Sequence, residues 1–428
     1  MAASAGPAPD ALHRVVDAVW RMESAPLIAA LTRVTGDVGL AEDLAQDALL
    51  AALESWGTDG VPARPGAWLM TVAKRRAIDQ FRRTERLTRA TAELGRALAA
   101  EQAGEPDWAA ALDERVTDDV LRLVFIACHP VLSREARVAL TLRLVGGLTT
   151  GEIARAFLVP ESTLAQRIVR AKRTLTAARV PFEMPEGEEF TARLSSVLEV
   201  LYLVFNEGYS ATAGQDLVRP ALCQEAIRLG RVLAELTPGE PEVHGLVALC
   251  ELQASRLRAR SGPGGEPVLL LDQDRSHWDG LLVARGLAGL QRAQAGGRAL
   301  GRYGLQAAIA ACHARARTAA DTDWVQIAAL YDALAQSWPS PVVELNRAVA
   351  VSMAYGPAAA LEIVERLTAE PLLRSYHLLP SVRGDLLDRL GRHGEARAEF
   401  ARAAALSSND RERSLLLERA AAPPVGSP

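Results

Sequence analysis

The sequence predicts an all-α fold. Apolar residues recur at three- and four-residue intervals along almost the whole chain of 428 residues, and alternating Val/Ile/Thr stretches are nearly absent. Alanine, leucine and arginine dominate, and all three favour helices. At roughly 150 residues per domain, the length predicts two to four domains. Hydrophobic residues make up 49% and charged residues 23% of the chain, enough to bury sizeable cores and to exclude global disorder. The longest apolar stretches, such as Leu198 to Phe205 with Glu199 inside it, fall well short of the roughly 18 residues a membrane span needs. Met1 to Pro9 has neither the basic residue nor the apolar block of a secretory signal. Cys128, Cys223, Cys250 and Cys312 are scattered without a CxxC pair, so neither a disulfide framework nor a zinc site is expected. A soluble, cytoplasmic protein follows, with no cofactor, metal or membrane partner.

The near-neutral net charge of −4 conceals a strong local asymmetry. From Asp10 to Asp59, nine acidic residues face three basic ones. Within this stretch, Asp37 to Trp56 reads as an amphipathic helix with Asp43, Gln46 and Asp47 on its polar side and Asp37 as its N-cap. From Lys74 to Arg89, seven basic residues face two acidic ones. Here Trp68 to Arg83 forms one helix: Leu69, Val72, Ala73, Ala77, Ile78 and Phe81 make an apolar stripe, opposite Lys74, Arg75, Arg82 and Arg83. Trp68 and Phe81 lie on or near that stripe, where core packing is expected before stacking on an unpaired base. Basic helices of this kind are candidate nucleic-acid footprints.

Residues 88–115, rich in Ala, Glu and Gly, read as a linker. Beyond them, Thr149 and Glu152 match a capping box. A short helix from Ile153 to Phe157, a tight connection at Leu158-Val159-Pro160 and a second helix from about Glu161 to Ala177 have the layout of a helix-turn-helix. Ile153, Leu158, Leu164, Ile168 and Leu175 would share its core, with small Ala154 at the crossing. In such a unit the second helix enters the major groove. That puts Glu161, Ser162, Thr163, Gln166 and Arg167 at base edges, and Arg170, Lys172 and Arg173 nearer phosphates.

Taken in order, these segments resemble bacterial sigma factors of the extracytoplasmic-function type within the sigma-70 family. The resemblance rests on Ala41 to Leu49 (AEDLAQDAL) with Trp56, on Trp68 to Ala73 (WLMTVA) with Arg76 to Arg83 (RAIDQFRR), and on Gly147 to Ala154 (GLTTGEIA) continuing to Val159 to Leu164 (VPESTL). It covers about residues 10–180. It implies a first sigma domain over 10–87, a linker over 88–115 and a helix-turn-helix sigma domain over 116–180. It also implies that the Asp43/Gln46/Asp47 helix docks on the β′ clamp helices of core RNA polymerase. The helix carrying Trp68, Lys74, Arg75, Arg76, Arg82 and Arg83, with the loop before it (about Gly57 to Pro65), would engage the melted −10 promoter element. The helix-turn-helix would read the −35 element and sit on the β flap. One departure is Phe125 to Pro130 (FIACHP), where Cys128 beside His129 has no further ligand for a metal and reads as packing or capping.

Residues 184–420 lie outside a minimal sigma factor. Pro181 to Glu189 marks the break before them, Ser261 to Gly265 reads as a surface loop, and Ala421 to Pro428 as a frayed tail. Ala396, Phe400 and Ala403, with Gly384 twelve residues before, fit the small–large–small register of tetratricopeptide units. Ala348, Ala360, Val364 and Leu367 repeat it, and Ala307, Ala311 and Ala314 do so more faintly. Together with the sigma half, this extension resembles the subgroup carrying a C-terminal helical, tetratricopeptide-like domain. Asn206 and Glu207 lack a nucleophile or base partner, so Gly208 is expected to end a helix there. Asp272, Asp274 and Asp279 read as a turn that caps the next helix rather than a cation loop. No enzyme motif is present. The expected function is a sigma factor with a built-in regulatory domain, to which an unidentified regulator binds. An ordinary helix-turn-helix regulator with a repeat domain for an effector or partner is the alternative, and a scaffolding repeat protein a third.

Overall fold

A computed structural model describes residues 9–87, 110–157, 159–211, 215–295 and 297–422. Among them, helices are the only extended elements, and a single isolated β-bridge joins Ser261 to Pro267. The chain divides into two compact units, Met1–Val200 and Leu201–Pro428.

The first unit begins with α1 (Pro9–Thr35), α2 (Val38–Asp59) and α3 (Pro65–Leu87). Asp37 accepts the amide of Leu40 at 2.9 Å and so starts α2, as its position before an amphipathic run requires. Trp56, almost fully buried, fixes α2 against α3 through an edge contact with Trp68 at 5.4 Å between ring centroids. The helices α4 (Ala110–Ala127), α5 (Arg134–Leu144), α6 (Thr150–Ala156) and α7 (Glu161–Ala177) follow. The expected linker falls mostly on residues outside the description, and its last six positions are helical in α4. Leu158, expected in the helix-turn-helix core, also lies outside it. Ile153, Ala154, Leu164, Ile168 and Leu175 are buried. Gly147 has φ +69°, and a Cβ there would stand 2.7 Å from Ser24 Oγ, so both backbone and space call for glycine in the turn before α6.

The break expected at Pro181–Glu189 ends earlier, since Gly187 to Glu189 already form the first turn of α8 (Gly187–Tyr209), and the division into units falls inside that helix, at Val200/Leu201. In the first unit Ser196 donates to the Cys128 carbonyl at 2.7 Å, and the Cys128 sulfur lies 3.2 Å from Thr141 Oγ1. Burial pushes the Cys128 thiol up to about 12, as suits a packing residue.

The second unit continues through α9 (Pro220–Leu236), α10 (Pro241–Ala254), α11 (Gly280–Gln294), α12 (Arg302–Arg315) and α13 (Trp324–Ser337). It ends with α14 (Pro341–Tyr355), α15 (Pro357–Leu367), α16 (Leu378–Arg389), α17 (His393–Leu406) and α18 (Asp410–Ala421). Pro220, Pro241, Pro341 and Pro357 each open a helix, where a missing N–H costs nothing. Asp274 caps a short 3₁₀ turn and Asp279 caps α11, so these aspartates are turn formers. Gly208 does not end α8. A Cβ at Gly208 would lie 2.7 Å from the Cys223 nitrogen, so this glycine lets α8 and α9 touch backbone to backbone.

The repeat register describes a real core. Ala348, Ala360, Val364, Leu367, Ala396, Phe400 and Ala403 belong to one buried cluster. Gly384 faces Phe400: an added Cβ would stand 2.7 Å from Cε1 and 2.9 Å from Cδ1. The Arg419 guanidinium covers this ring at 4.1 Å, so the ring has little room to retreat. Gly384→Ala is therefore expected to lower the stability of the second unit by about 1–3 kcal/mol, read as a lower midpoint of thermal unfolding.

Candidate nucleic-acid interface

Except for Lys172, which turns toward α2, helix α7 carries the expected base-reading and phosphate-facing residues on its outer side. Its N-terminal turn rests on Pro160, and Leu164, Ile168, Ala171 and Leu175 turn inward at helical spacing. That leaves Glu161, Ser162, Thr163, Gln166, Arg170 and Arg173 exposed and Arg167 half-buried. The helix is aimed by α6, whose start is fixed by the capping box: Thr149 Oγ1 accepts the Glu152 amide at 3.1 Å, and Glu152 Oε2 accepts the Thr149 amide at 2.8 Å. Burial pushes the Glu152 carboxyl up, but bonds donated by the Thr149 amide and hydroxyl, with Arg21 at 2.8 Å, outweigh it and hold the carboxyl below its ordinary range.

On α3, Arg75 is exposed, while Lys74, Arg76 and Trp68 are half-buried. Arg76 pairs with Asp47 of α2 at 3.4 Å. Burial, reinforced by the nearby Arg33, lowers the Lys74 pKa. Arg82 and Arg83 lie on the last turns of α3, and their side chains are outside the description. On α2, Asp43 and Asp47 are exposed and Gln46 is half-buried.

The structure brings the two expected footprints of the first unit into contact. Between Asp43 and Gln46 on one side and α7 on the other lies Glu42, 2% exposed. Its carboxylate pairs with Arg143 Nε at 2.6 Å and with Lys172 Nζ at 2.5 Å, and Gln46 donates a third bond to it. Lys172 also lies 3.5 Å from Asp43. One turn further on, Thr176 donates to Asp37 Oδ2 at 2.9 Å. Two more ion pairs extend the contact: Arg21 with Glu152, and Arg33 with the buried Asp119 at 2.9 Å. Lys172, expected near phosphates, is thus engaged by two carboxylates of α2 rather than free. Glu42 was missed because its role depends on Arg143 and Lys172, which lie far along the chain. The only local signal is its i,i+4 spacing to Gln46.

Among the described residues, no group of three or more His, Cys, Asp or Glu side chains is placed to hold a metal, and no helix is long and apolar enough to cross a membrane.

Comparison with known families agrees with this geometry. Residues 20–87 match the family described as Sigma-70 region 2, and residues 122–175 match Sigma-70, region 4. Residues 193–294 match a family of unknown function, DUF6596. The uncharacterized protein R00370 of Rhizobium meliloti (strain 1021) is 46% identical over 386 residues, covering 90% of each chain. The ECF RNA polymerase sigma factor SigL of Mycobacterium tuberculosis is 32% identical over 159 residues, 37% of this chain and 85% of its own. The probable ECF RNA polymerase sigma factor SigI of the same organism is 31% identical over 171 residues, 39% of this chain and 57% of its own. No solved structure matches the chain.

Proposed function

Because the chain belongs to the extracytoplasmic-function family of RNA polymerase sigma factors, we propose a division of labour among its helices. The protein is a sigma factor that directs transcription initiation, and its partners are core RNA polymerase and promoter DNA. Asp43, Gln46 and Asp47 of α2 dock on the β′ clamp helices. Trp68, Lys74, Arg75, Arg76, Arg82 and Arg83 of α3, with the loop before it, capture the melted −10 element. Melting demands that an extruded base be held and a single strand be gripped electrostatically, which a cationic helix beside aromatic rings suits. The residues from Glu161 to Arg173 on α7 read the −35 element, which stays duplex and so suits a major-groove helix, and α7 with its neighbours rests on the β flap. The second unit regulates these events.

The observation that carries the reading is the solvent-facing side of α7, polar and arginine-rich, backed by a capped helix and a buried apolar side. The contact through Glu42 adds a conformational element. By their labels the −10 and −35 elements lie some 25 base pairs apart, about 85 Å of duplex. Two domains in contact cannot reach both at once, so the arrangement with Lys172 on Glu42 is a resting form that separates on the promoter.

Run-off transcription tests the reading. Core polymerase, pooled genomic fragments and either the full chain or a chain ending after Tyr209 are combined, and transcript 5′ ends are sequenced. The full chain is expected to yield starts sharing an upstream element, and the shortened chain to use the same element at an altered level. No chain-dependent start would exclude a sigma factor. Identical yields from the two chains would exclude a regulatory role for the second unit.

A further inference from the structure

The second unit contains a cavity of about 150 Å³ that neither sigma domain explains. Four aromatic residues, Tyr202, Phe205, Tyr209 and Tyr331, line it together with Leu249 and Ile309 and the amide residues Asn206, Gln253 and Gln306. Behind Tyr209 and Gln253 stand two arginines. Arg256 donates to the Tyr209 hydroxyl and to Gln253 Oε1. Arg260 stacks on the Tyr209 ring at 3.9 Å, and Arg256 lies 5.6 Å from the same ring. Neither arginine forms an ion pair with any described carboxylate, although burying a cation without one is costly.

The hydrogen-bond directions are set by this layer. Arg256 occupies an acceptor lone pair of Tyr209, so the Tyr209 O–H must donate elsewhere. Arg256 also fixes the Gln253 oxygen, which leaves the Gln253 NH₂ free to donate. The Tyr331 phenol, its pKa pushed up to about 12 chiefly by burial, stays protonated as a donor. Nearby, Arg260 Nε, Arg275 Nε and Trp278 Nε1 are buried donors without a partner. The guanidinium layer runs continuously through them: Arg256 lies 5.7 Å and Arg275 5.0 Å from the Trp278 ring. Arg275 is answered by the carbonyls of His313 and Ala316 and by Thr322, so the uncompensated charge is that of Arg256 and Arg260, next to the cavity wall, and it selects an anion. Burial is the main influence lowering the Arg256 pKa, with Arg260 adding to it and Tyr209 opposing it; an anion alongside would relieve that.

Size and walls narrow the ligand class. A cavity of about 150 Å³ admits a single six-membered ring, and four aromatic lining residues favour a flat apolar body. We propose that this cavity binds a small planar monocarboxylate of about benzoate size, its carboxylate received by the Tyr209 hydroxyl and Gln253 amide in front of Arg256. The binding stands on these contacts alone, and only its consequence for transcription rests on the regulatory reading of the second unit.

Calorimetric titration of the full chain with benzoate, at fixed ionic strength, tests the site. One benzoate is expected to bind per chain, with neutral benzamide at least tenfold weaker and inorganic phosphate giving no saturable heat. Tyr209→Phe keeps the ring under Arg260 but removes the hydroxyl, and is expected to weaken benzoate about tenfold; because it also takes an acceptor from the buried Arg256, it is expected to lower the thermal midpoint modestly while still unfolding cooperatively. Absence of saturable benzoate heat, equal binding of benzamide, or full benzoate affinity in Tyr209→Phe would overturn the proposal. Run-off transcription with and without benzoate separates the two readings. A changed yield in the parent but not in Tyr209→Phe supports both. Intact binding with unchanged yield upholds the site and removes the regulatory role.

Discussion

Glu42→Gln is expected to weaken the first unit by about 3–5 kcal/mol and, at the same time, to tighten its binding to −35 duplex roughly tenfold or more. The energetic part follows from burial. Glu42 is enclosed and pairs with Arg143 and Lys172, and removing one partner of a buried charge cluster leaves the others desolvated without compensation. Of the two cations, Lys172 is on the helix that can move, whereas Arg143 stays tied to the Leu148 carbonyl. Lys172 sits at the margin of the contact, and it regains water if α7 moves away from α2. The lost energy is then expressed as separation of the two domains before it is expressed as unfolding.

The gain in DNA affinity follows from competition. In the resting form the carboxylates of Glu42 and Asp43 occupy the Lys172 ammonium that a phosphate would otherwise take. A closed population lowers apparent affinity by the fraction of molecules that are competent, so opening the contact returns that factor. Small-angle scattering should show a larger radius of gyration for Glu42→Gln, and fluorescence anisotropy the tighter binding. Lost stability with neither expansion nor tighter DNA would mean that the cluster is architectural only.

What could be read from sequence depended on how far apart the deciding residues lie. The capping box was legible because Thr149 and Glu152 satisfy each other within one turn. The inward stripe of α7 was legible because one helix sets its own spacing. Glu42 was not, since a buried glutamate inside an acidic motif looks like its exposed neighbour Asp43 until Arg143 and Lys172 arrive from another domain. Lys172 was assigned to phosphates by helical position, and its tertiary partner was invisible for the same reason. Gly208 looked like a stop signal because glycine serves helix ends and close crossings alike; only the approach of Leu222 and Cys223 decides between them. The anion-type cavity left no local trace, because Tyr209, Arg256 and Tyr331 are brought together from separate helices and one connecting turn.

Arg167→Ala and Arg173→Ala are expected to damage DNA binding in different ways. Arg167 lies nearly two turns into the second helix, beside Gln166 and within electrostatic reach of Glu135, whose carboxyl it helps to hold low. If the guanidinium there reaches a base edge bidentately, as proposed, losing it should cost about 1–3 kcal/mol on the preferred sequence with little change on others. Arg173 lies further along and is exposed, where the proposed docking would leave phosphate as its nearest partner. Its loss should weaken every duplex alike and reduce the slope of log affinity against log salt by about one. Anisotropy titrations of both variants, on the mapped −35 element and on a scrambled duplex over a range of salt, distinguish the two. Uniform weakening by both would mean that α7 grips only the backbone, and that promoter choice is made by α3 alone.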